Sequence, residues 1–466
     1  MKQQKVGKLI RHGAAVLVVA VVFAMLLGAL TKPKFYNDNY WPLDVTYQGF
    51  YEMEQDSIDV LFLGSSHAIA AFSPQELYDA CGIRSFNLGS EEQSLFISYY
   101  WLKEALRLQK PEAVVLDLMV AYPYLDTPYN CSEPSIRKAL DPMHWSLVKW
   151  QAVQELHRMD PQQTLASFVF PVIRYHARWN ALTANDIRLW PAQRTDLKGY
   201  AVLSEDYHLQ DFVPLKEAEQ EPALMHGVMQ QYLDRITALC KDEGIRLILT
   251  NTPYLENSSA VHAAGEAYAR KHGLAYIDFN QEELLSQLQF DFAHDMADAG
   301  HANTFGAVKL TDYIGTVLLE NGVQPVSDEQ YETSRAYCSR QIRNANLYRI
   351  SELSDVLAQL NDSDYLIFVT GSGPKEAALL GLAASGPFTA VIDQGNASVY
   401  GPEKEAYRFR ENLHYSLEAQ EKTGTIRVDD YTYERTGEGL QIVILDLEKG
   451  YVIDHSVFDG QGHRIQ

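Results

Sequence analysis

DVLFLGSSH, residues 59–67, opens the folded part of the chain with an apolar run that stops at Gly64-Ser65-Ser66. A continuous apolar run of this length suits a strand buried on both faces, and hence a parallel sheet. Four similar runs follow: RSFNL (84–88), AVVLDLM (113–119, introduced by Lys110-Pro111), IRLILT (245–250) and LAYI (274–277). Helical patterns separate them over 92–109, 225–242 and 260–272. Strand and helix in alternation predict an α/β domain with a doubly wound parallel sheet, whose functional edge lies beyond the carboxyl ends of the strands.

Outward from this core the chain of 466 residues has room for two to four domains at roughly 100–200 residues each. Apolar residues make up 46% and charged residues 21%, which excludes a disordered or collagen-like chain. With 61 acidic against 39 basic residues the net charge is −22, so no nucleic-acid partner is expected. Cys81, Cys131, Cys240 and Cys338 lie far apart, without Cys-x-x-Cys or zinc spacing, and allow at most two disulfides.

GAAVLVVAVVFAMLLGAL (13–30) carries no charge and follows Lys2, Lys5, Lys8 and Arg11; Lys32 and Lys34 come after it. Its length reaches the ~17–25 residues a membrane helix needs, and the basic amino side predicts an inside amino terminus with the remainder extracytoplasmic. A cleaved signal peptide is the other reading, against the long apolar stretch and the lack of a clean small-x-small site. Residues 1–34 are thus expected to be a basic tail and anchor, 35–325 an α/β domain, 326–345 a polar linker and 346–466 a small α+β domain.

The α/β domain is interrupted at about 122–222 by an insertion holding Trp145, Trp150, Trp179 and Trp190, with FPVIRYHARWNAL (170–182) at its centre. It either caps the carboxyl edge of the sheet or only packs as a helical subdomain. In the last domain a helix (350–360), a strand (365–370), the loop GSGPKE (371–376) and a strand (389–393) are expected. There, QIVILDLEKGYVIDHSVFD (441–459) reads as a hairpin turning at Glu448-Lys449-Gly450.

Two segments carry chemistry. Ser66 follows a strand at the sheet's carboxyl edge, where N–H groups favour negative charge, but a hydroxyl needs a base to become a nucleophile. DMADAGHANTFGAVKLTDYIG (295–315) sets Asp298 three residues before His301, a spacing that lets the carboxylate accept the imidazole Nδ1–H and leave Nε2 for the serine proton. Its position after the fifth strand and before a helix (305–319) returns it to the edge that holds Ser66. His67, beside the serine, either lines the site or points away. No cluster has metal-ligand spacing, so no metal and no other cofactor is implied.

At these residues the chain resembles the SGNH/GDSL hydrolase superfamily over about 57–322. Gly64-Ser65-Ser66 stands at the family's Gly-Asp-Ser block, and Asp298-Ala299-Gly300-His301 matches its Asp-x-x-His block, with Asn303 and Gly306 fitting the same block. In the second block Asn87-Leu88-Gly89 fits while Glu92 occupies the usual glycine position; in the third, Leu118-Met119-Val120-Ala121 lacks the family's asparagine. The resemblance implies a flavodoxin-like sheet, Ser66 as nucleophile, His301 as base, Asp298 as orienting carboxylate, and the N–H groups of Ser66 and Gly89 as oxyanion donors. The serine variant, the anchor and the insertion look more like the membrane-tethered branch, which includes the teichoic acid D-alanyl transfer protein and the alginate and peptidoglycan O-acetylation proteins. That likeness implies a cell-membrane esterase or O-acyltransferase acting on O-acyl groups of an envelope polysaccharide, partnered by a multi-span membrane-bound O-acyltransferase.

For the acceptor, Arg174, His176, Arg178 and Trp179 in the insertion, together with Asn303, are candidate contacts, because aromatics pack on sugar faces and Arg binds carboxylate or phosphate. Tyr175 belongs to the same mixed basic and aromatic stretch, and a folded helix with solvated Arg and buried Trp is the competing account of it. The last domain faintly resembles the interleukin-like EMT inducer domain in Gly439–Asp446, Val452-Ile453-Asp454 and Phe458-Asp459, which implies glycan recognition. The eroded second and third blocks leave a second functional class open, a non-catalytic scaffold or glycan-binding protein of an envelope acylation complex.

Overall fold

The computed structural model describes residues 2–33, 43–182, 186, 196–205, 214, 221–360, 364–408 and 413–466. It divides into two compact units, Met1–Cys338 and Ser339–Gln466. Trp190 and Lys34 lie outside the described residues.

In the first unit the apolar runs form β1 (Val60–Leu63), β2 (Ser85–Asn87), β3 (Ala113–Asp117), β4 (Arg246–Asn251) and β5 (Ala275–Asp278). They make one all-parallel sheet in the order β2-β1-β3-β4-β5. Side chains alternate across it, because successive Cβ atoms point to opposite faces. Leu61, Leu63, Val114, Leu116, Leu247 and Leu249 join one core with the helices Leu95–Ala105, Gly227–Glu243 and Ser259–His272. Val60, Phe62, Val115 and Ile248 join a second core with Ser66–Ala71, Pro74–Cys81 and Thr304–Glu320. Burial on both faces is what the unbroken apolar runs encode.

The helix Lys2–Thr31 contains one stretch, Ile10–Thr31, long and apolar enough to cross a membrane. At 1.5 Å per residue it is about 33 Å long. Between β3 and β4 the insertion is helical: Glu133–Leu140, Leu147–Met159, Leu165–Val169 and Val172–Tyr175, then a 3₁₀ turn His176–Asn180. Its described tail, 196–205, runs past the sheet's carboxyl edge. The N–H of Asn87 donates to Lys198 O (2.9 Å), that of Ala201 to Ile69 O (2.8 Å) and that of Thr304 to Leu203 O (2.8 Å). This strap ties the helix that begins at Ser66 to the helix after His301. Gly199 permits it: φ is +83°, and a Cβ there would sit 1.9 Å from Asn87 O.

Residues expected to be a linker instead fall in the helix Glu329–Asn346, which crosses the division between the units. Polar composition hid a buried stripe: Tyr331, Ser334, Cys338 and Gln341 recur at helical spacing and are all buried. The second unit has a five-stranded sheet ordered β14-β13-β6-β7-β8, made of β6 (Tyr365–Gly371), β7 (Phe388–Asp393), β8 (Asn396–Tyr400), β13 (Leu440–Asp446) and β14 (Tyr451–Phe458). β13 and β14 form the antiparallel hairpin expected over 441–459. A four-stranded sheet, β12-β11-β10-β9, comes from β9 (Glu403–Arg408), β10 (Leu413–Ala419), β11 (Thr423–Val428) and β12 (Tyr431–Thr436). Leu366, Phe368 and Val443 meet Tyr415, Leu417 and Ile426 between the sheets. The other face of the larger sheet packs on the helix Leu353–Gln359. All four cysteines are free thiols, three of them buried and Cys81 half-buried.

Candidate active site

β1 ends at Leu63 and the chain turns at once into the helix Ser66–Ala71. Gly64 makes the turn at φ +152°, where a Cβ would lie 2.9 Å from Asp117 Cβ and 3.0 Å from Ala68 Cβ. Ser65 caps the helix, its hydroxyl accepting the N–H of His67 (3.4 Å). Gly64→Ala is therefore expected to destabilise the fold by about 2–3 kcal/mol through backbone strain and crowding. A chemical-denaturation midpoint unchanged from wild type would show that the turn tolerates a side chain.

The segment after β5 reaches the same point. The Ser66 hydroxyl and His301 Nε2 are 2.8 Å apart, and His301 Nδ1 is 2.8 Å from Asp298 Oδ2 and 2.9 Å from Oδ1. Asp298 Oδ1 also accepts the N–H groups of Gly300 (2.8 Å) and His301 (2.9 Å), so the turn folds around its carboxylate. Burial alone would raise the Asp298 carboxyl. The ring N–H and charge of His301 and the two backbone donors outweigh it and hold the group below its usual range. The carboxylate is half exposed, whereas the imidazole is largely covered.

Asn303 anchors the segment rather than facing the serine. It is fully buried; its Oδ1 caps the helix Thr304–Glu320 by accepting the N–H of Phe305 (3.0 Å) and Gly306 (3.2 Å). Its amide donates to His294 O (2.6 Å) and Glu205 O (3.1 Å). Both ends of the side chain are thus consumed by the fold, which removes Asn303 as a sugar contact. Arg174, His176, Arg178 and Trp179 are not brought to the serine either: among the described residues none of them touches Ser66, His301 or Asp298. Arg178 donates to Thr31 O (2.7 Å) at the end of the membrane-length helix and pairs with Asp186, Arg174 pairs with Glu133, and Trp179 is 70% exposed.

Ser66 and Gly89 both stand at the sheet's carboxyl edge, where Ser90 N–H donates to Gly64 O (3.3 Å). Among the described residues the N–H groups of Ser66 and Gly89 have no hydrogen-bond partner. Glu92 adopts φ +51°, a conformation glycine favours, and its Oε2 accepts the N–H of Ser132 (2.9 Å). Among the described residues no group of three His, Cys, Asp or Glu side chains is placed to hold a metal ion.

Sequence reasoning left the placement of His67 open and missed Asp117 and Thr252, which with it form the floor beneath the relay. His67 is buried, its ring 4.9 Å from the His301 ring and 5.4 Å from the Tyr254 ring. It packs where a Cβ on Gly300 would be only 3.1 Å away. Thr252 Oγ1 lies 3.5 Å from His67 Nδ1 and 3.3 Å from Asp117 Oδ2. Asp117 is fully buried, and burial pushes its carboxyl up to about 6. Asp117 and Thr252 end or follow β3 and β4, so the strand-end rule that located Ser66 was the signal for them as well.

Burial, then the charge of His301, pushes His67 down to about 3. Between that value and the ~6.5 of an unfolded histidine the unfolded chain binds the extra proton, so stability falls as pH drops through this window. The loss approaches about 5 kcal/mol at the acid limit. His67→Gln is expected to flatten that part of the stability profile, measured by urea unfolding between pH 4 and 7. Parallel profiles for the two proteins would remove His67 as the cause.

No known protein family matches this sequence, and no curated protein does. Among solved structures it is similar to a crystal structure of a Bacteroides fragilis protein named for an inferred acylhydrolase activity, with 11% identity and a TM-score of 0.28, over 59% of this chain and 94% of that one.

Proposed function

We propose that the chain is a membrane-anchored, extracytoplasmic serine enzyme of the doubly wound SGNH type. It moves O-acyl groups, acetyl or similar, to or from an envelope polysaccharide. The observation that carries this reading is the unbroken relay from Asp298 through His301 to the Ser66 hydroxyl, each step at 2.8–2.9 Å. The apolar helix Ile10–Thr31 supports the anchor.

In the proposed reaction His301 Nε2 takes the Ser66 proton as Oγ attacks the ester carbonyl carbon. The negative charge that develops on the carbonyl oxygen is held by the N–H groups of Ser66 and Gly89. Collapse breaks the bond to the alcohol, which leaves with the proton from His301, and acyl-Ser66 remains. A sugar hydroxyl or water then attacks the acyl-serine, with His301 taking its proton, and Ser66 is regenerated. Asp298 fixes the ring's tautomer and supports the imidazolium in both halves. A multi-span O-acyltransferase is the proposed donor partner, and the unit 339–466 the proposed glycan-recognition module.

A serine-directed phosphonate applied to the intact chain is expected to add its mass to the peptide containing Ser66. Absence of that adduct, with the chain folded, would favour the non-catalytic scaffold, the reading to which the missing third-block asparagine points. Incubation with an acetyl ester and an oligosaccharide, read by mass spectrometry, separates transfer from hydrolysis.

A further inference from the structure

Where the membrane-length helix ends, the insertion closes over it. A Cβ on Gly28 would meet Pro171 Cδ at 3.1 Å and Val172 N at 3.2 Å, and Arg178 binds the carbonyl of Thr31. The next residues, Lys32 and Pro33, line a cavity of about 110 Å³ together with Arg137, Lys138, Asp141 and Arg174. Space of this size holds several heavy atoms, since a single water needs ~10–15 Å³ by the same measure.

Four cations at one cavity are unusual in a chain of net charge −22. Three have acidic partners: Lys138 with Glu91, Arg174 with Glu133, and Arg137 with Asp141. Arg137 is only 1% exposed; its terminal nitrogens bond Asp141 and Ser167, and its guanidinium lies 3.6 Å over the Phe168 ring. Its Nε–H, by contrast, has no partner among the described residues. A buried guanidinium donor without an acceptor is costly unless something supplies one. Around the same helix end, Trp179 is 70% and Ile173 50% exposed, side chains of the kind that sit at a membrane–water boundary.

We infer that this cavity binds the anionic phosphate ester of a lipid headgroup at the membrane surface. The phosphate oxygens meet the charge of Lys32, Lys138 and Arg174 beside buried Arg137, and the acyl chains run along the apolar helix. Thus Arg174, Arg178 and Trp179, which sequence patterning associates with sugar, serve the lipid side. The inference rests on the anchoring reading and extends it: the domain is held at the surface by a specific headgroup as well as by a span.

The test uses the full chain in mild detergent, with bound lipid counted by native mass spectrometry during titration with phosphatidylglycerol, phosphatidylcholine or inorganic phosphate. Phosphatidylglycerol is expected to bind at least ten-fold more tightly than phosphatidylcholine. The pair Lys32→Glu/Arg174→Glu is expected to erase that preference, and Lys32→Glu alone to reduce it several-fold should the pair fold poorly. Equal retention of the two lipids, or an unchanged preference in folded Lys32→Glu, overturns the inference. Displacement by inorganic phosphate at the lipid's own affinity overturns the lipid form of it. Alkaline carbonate extraction of wild-type membranes tells the two failures apart: a chain that washes off has no anchor, whereas one that stays without headgroup preference has an anchor but no such site.

Discussion

Ser66→Ala is expected to lower turnover of a chromogenic acetyl ester by at least about 10⁴-fold, while the protein melts as the wild type does. The hydroxyl stands at the first position of a short helix and, among the described residues, makes its hydrogen bond to His301 alone, so its loss leaves the fold's other described bonds in place. Groups that act as one relay are not additive, and Ser66→Ala combined with His301→Gln is expected to be no slower than Ser66→Ala by itself. Retention of more than a tenth of the rate in Ser66→Ala would assign the chemistry to another residue or to none. A double variant markedly slower than either single one would show that the two side chains do not work as a unit.

Asp298→Asn is expected to cost about 10²–10⁴-fold in kcat with little change in KM. An amide at this position keeps one oxygen to accept the N–H groups of Gly300 and His301. It turns its NH₂ toward Nδ1, which favours the wrong tautomer and leaves Nε2 carrying a proton when it must accept one. Because the carboxylate is half exposed, water offsets part of the loss, and the effect falls below that of Ser66→Ala. The depressed Asp298 carboxyl stays ionised well into acid, so the hydrogen bonds it accepts from the His301 ring and from the Gly300 and His301 N–H groups add stability above about pH 3.9 that fades only as pH falls through the lower folded value. Steady-state kinetics on the purified variant, with circular dichroism as a fold control, measures the first effect; a kcat within three-fold of wild type would remove Asp298 from the relay.

The parallel sheet was readable because its strands are unbroken apolar runs, and β1 led directly to Ser66. The pairing of Ser66 with Asp298 and His301 was readable from local spacing joined to strand order. Between 403 and 436 the four-stranded sheet was not seen: β9 (EKEAYR) and β12 (YTYERT) bury little, and their two-residue alternation is masked by charge on exposed faces. The helix Glu329–Asn346 was lost for the same reason, since Ser334, Cys338 and Gln341 are poor markers of a buried stripe. Asn303 shows the limit of residue type as a guide. An asparagine two positions from a histidine fits a contact or a cap equally well, and only the backbone around it decides. The basic and aromatic cluster at 174–179 was misplaced because nothing in local sequence reveals that the segment lies on the amino-terminal helix.

The thiols have a consequence for how the protein is made. On the proposed extracytoplasmic reading, a chain with Cys131, Cys240 and Cys338 buried as free thiols would reach its native state in an oxidising compartment without any disulfide catalyst, packing alone shielding the sulfurs. Once heat or acid opens the molecule, those sulfurs meet oxidant and can cross-link at random. Thermal inactivation outside the cell would then be a one-way process whose half-life, not a reversible midpoint, sets the protein's working durability.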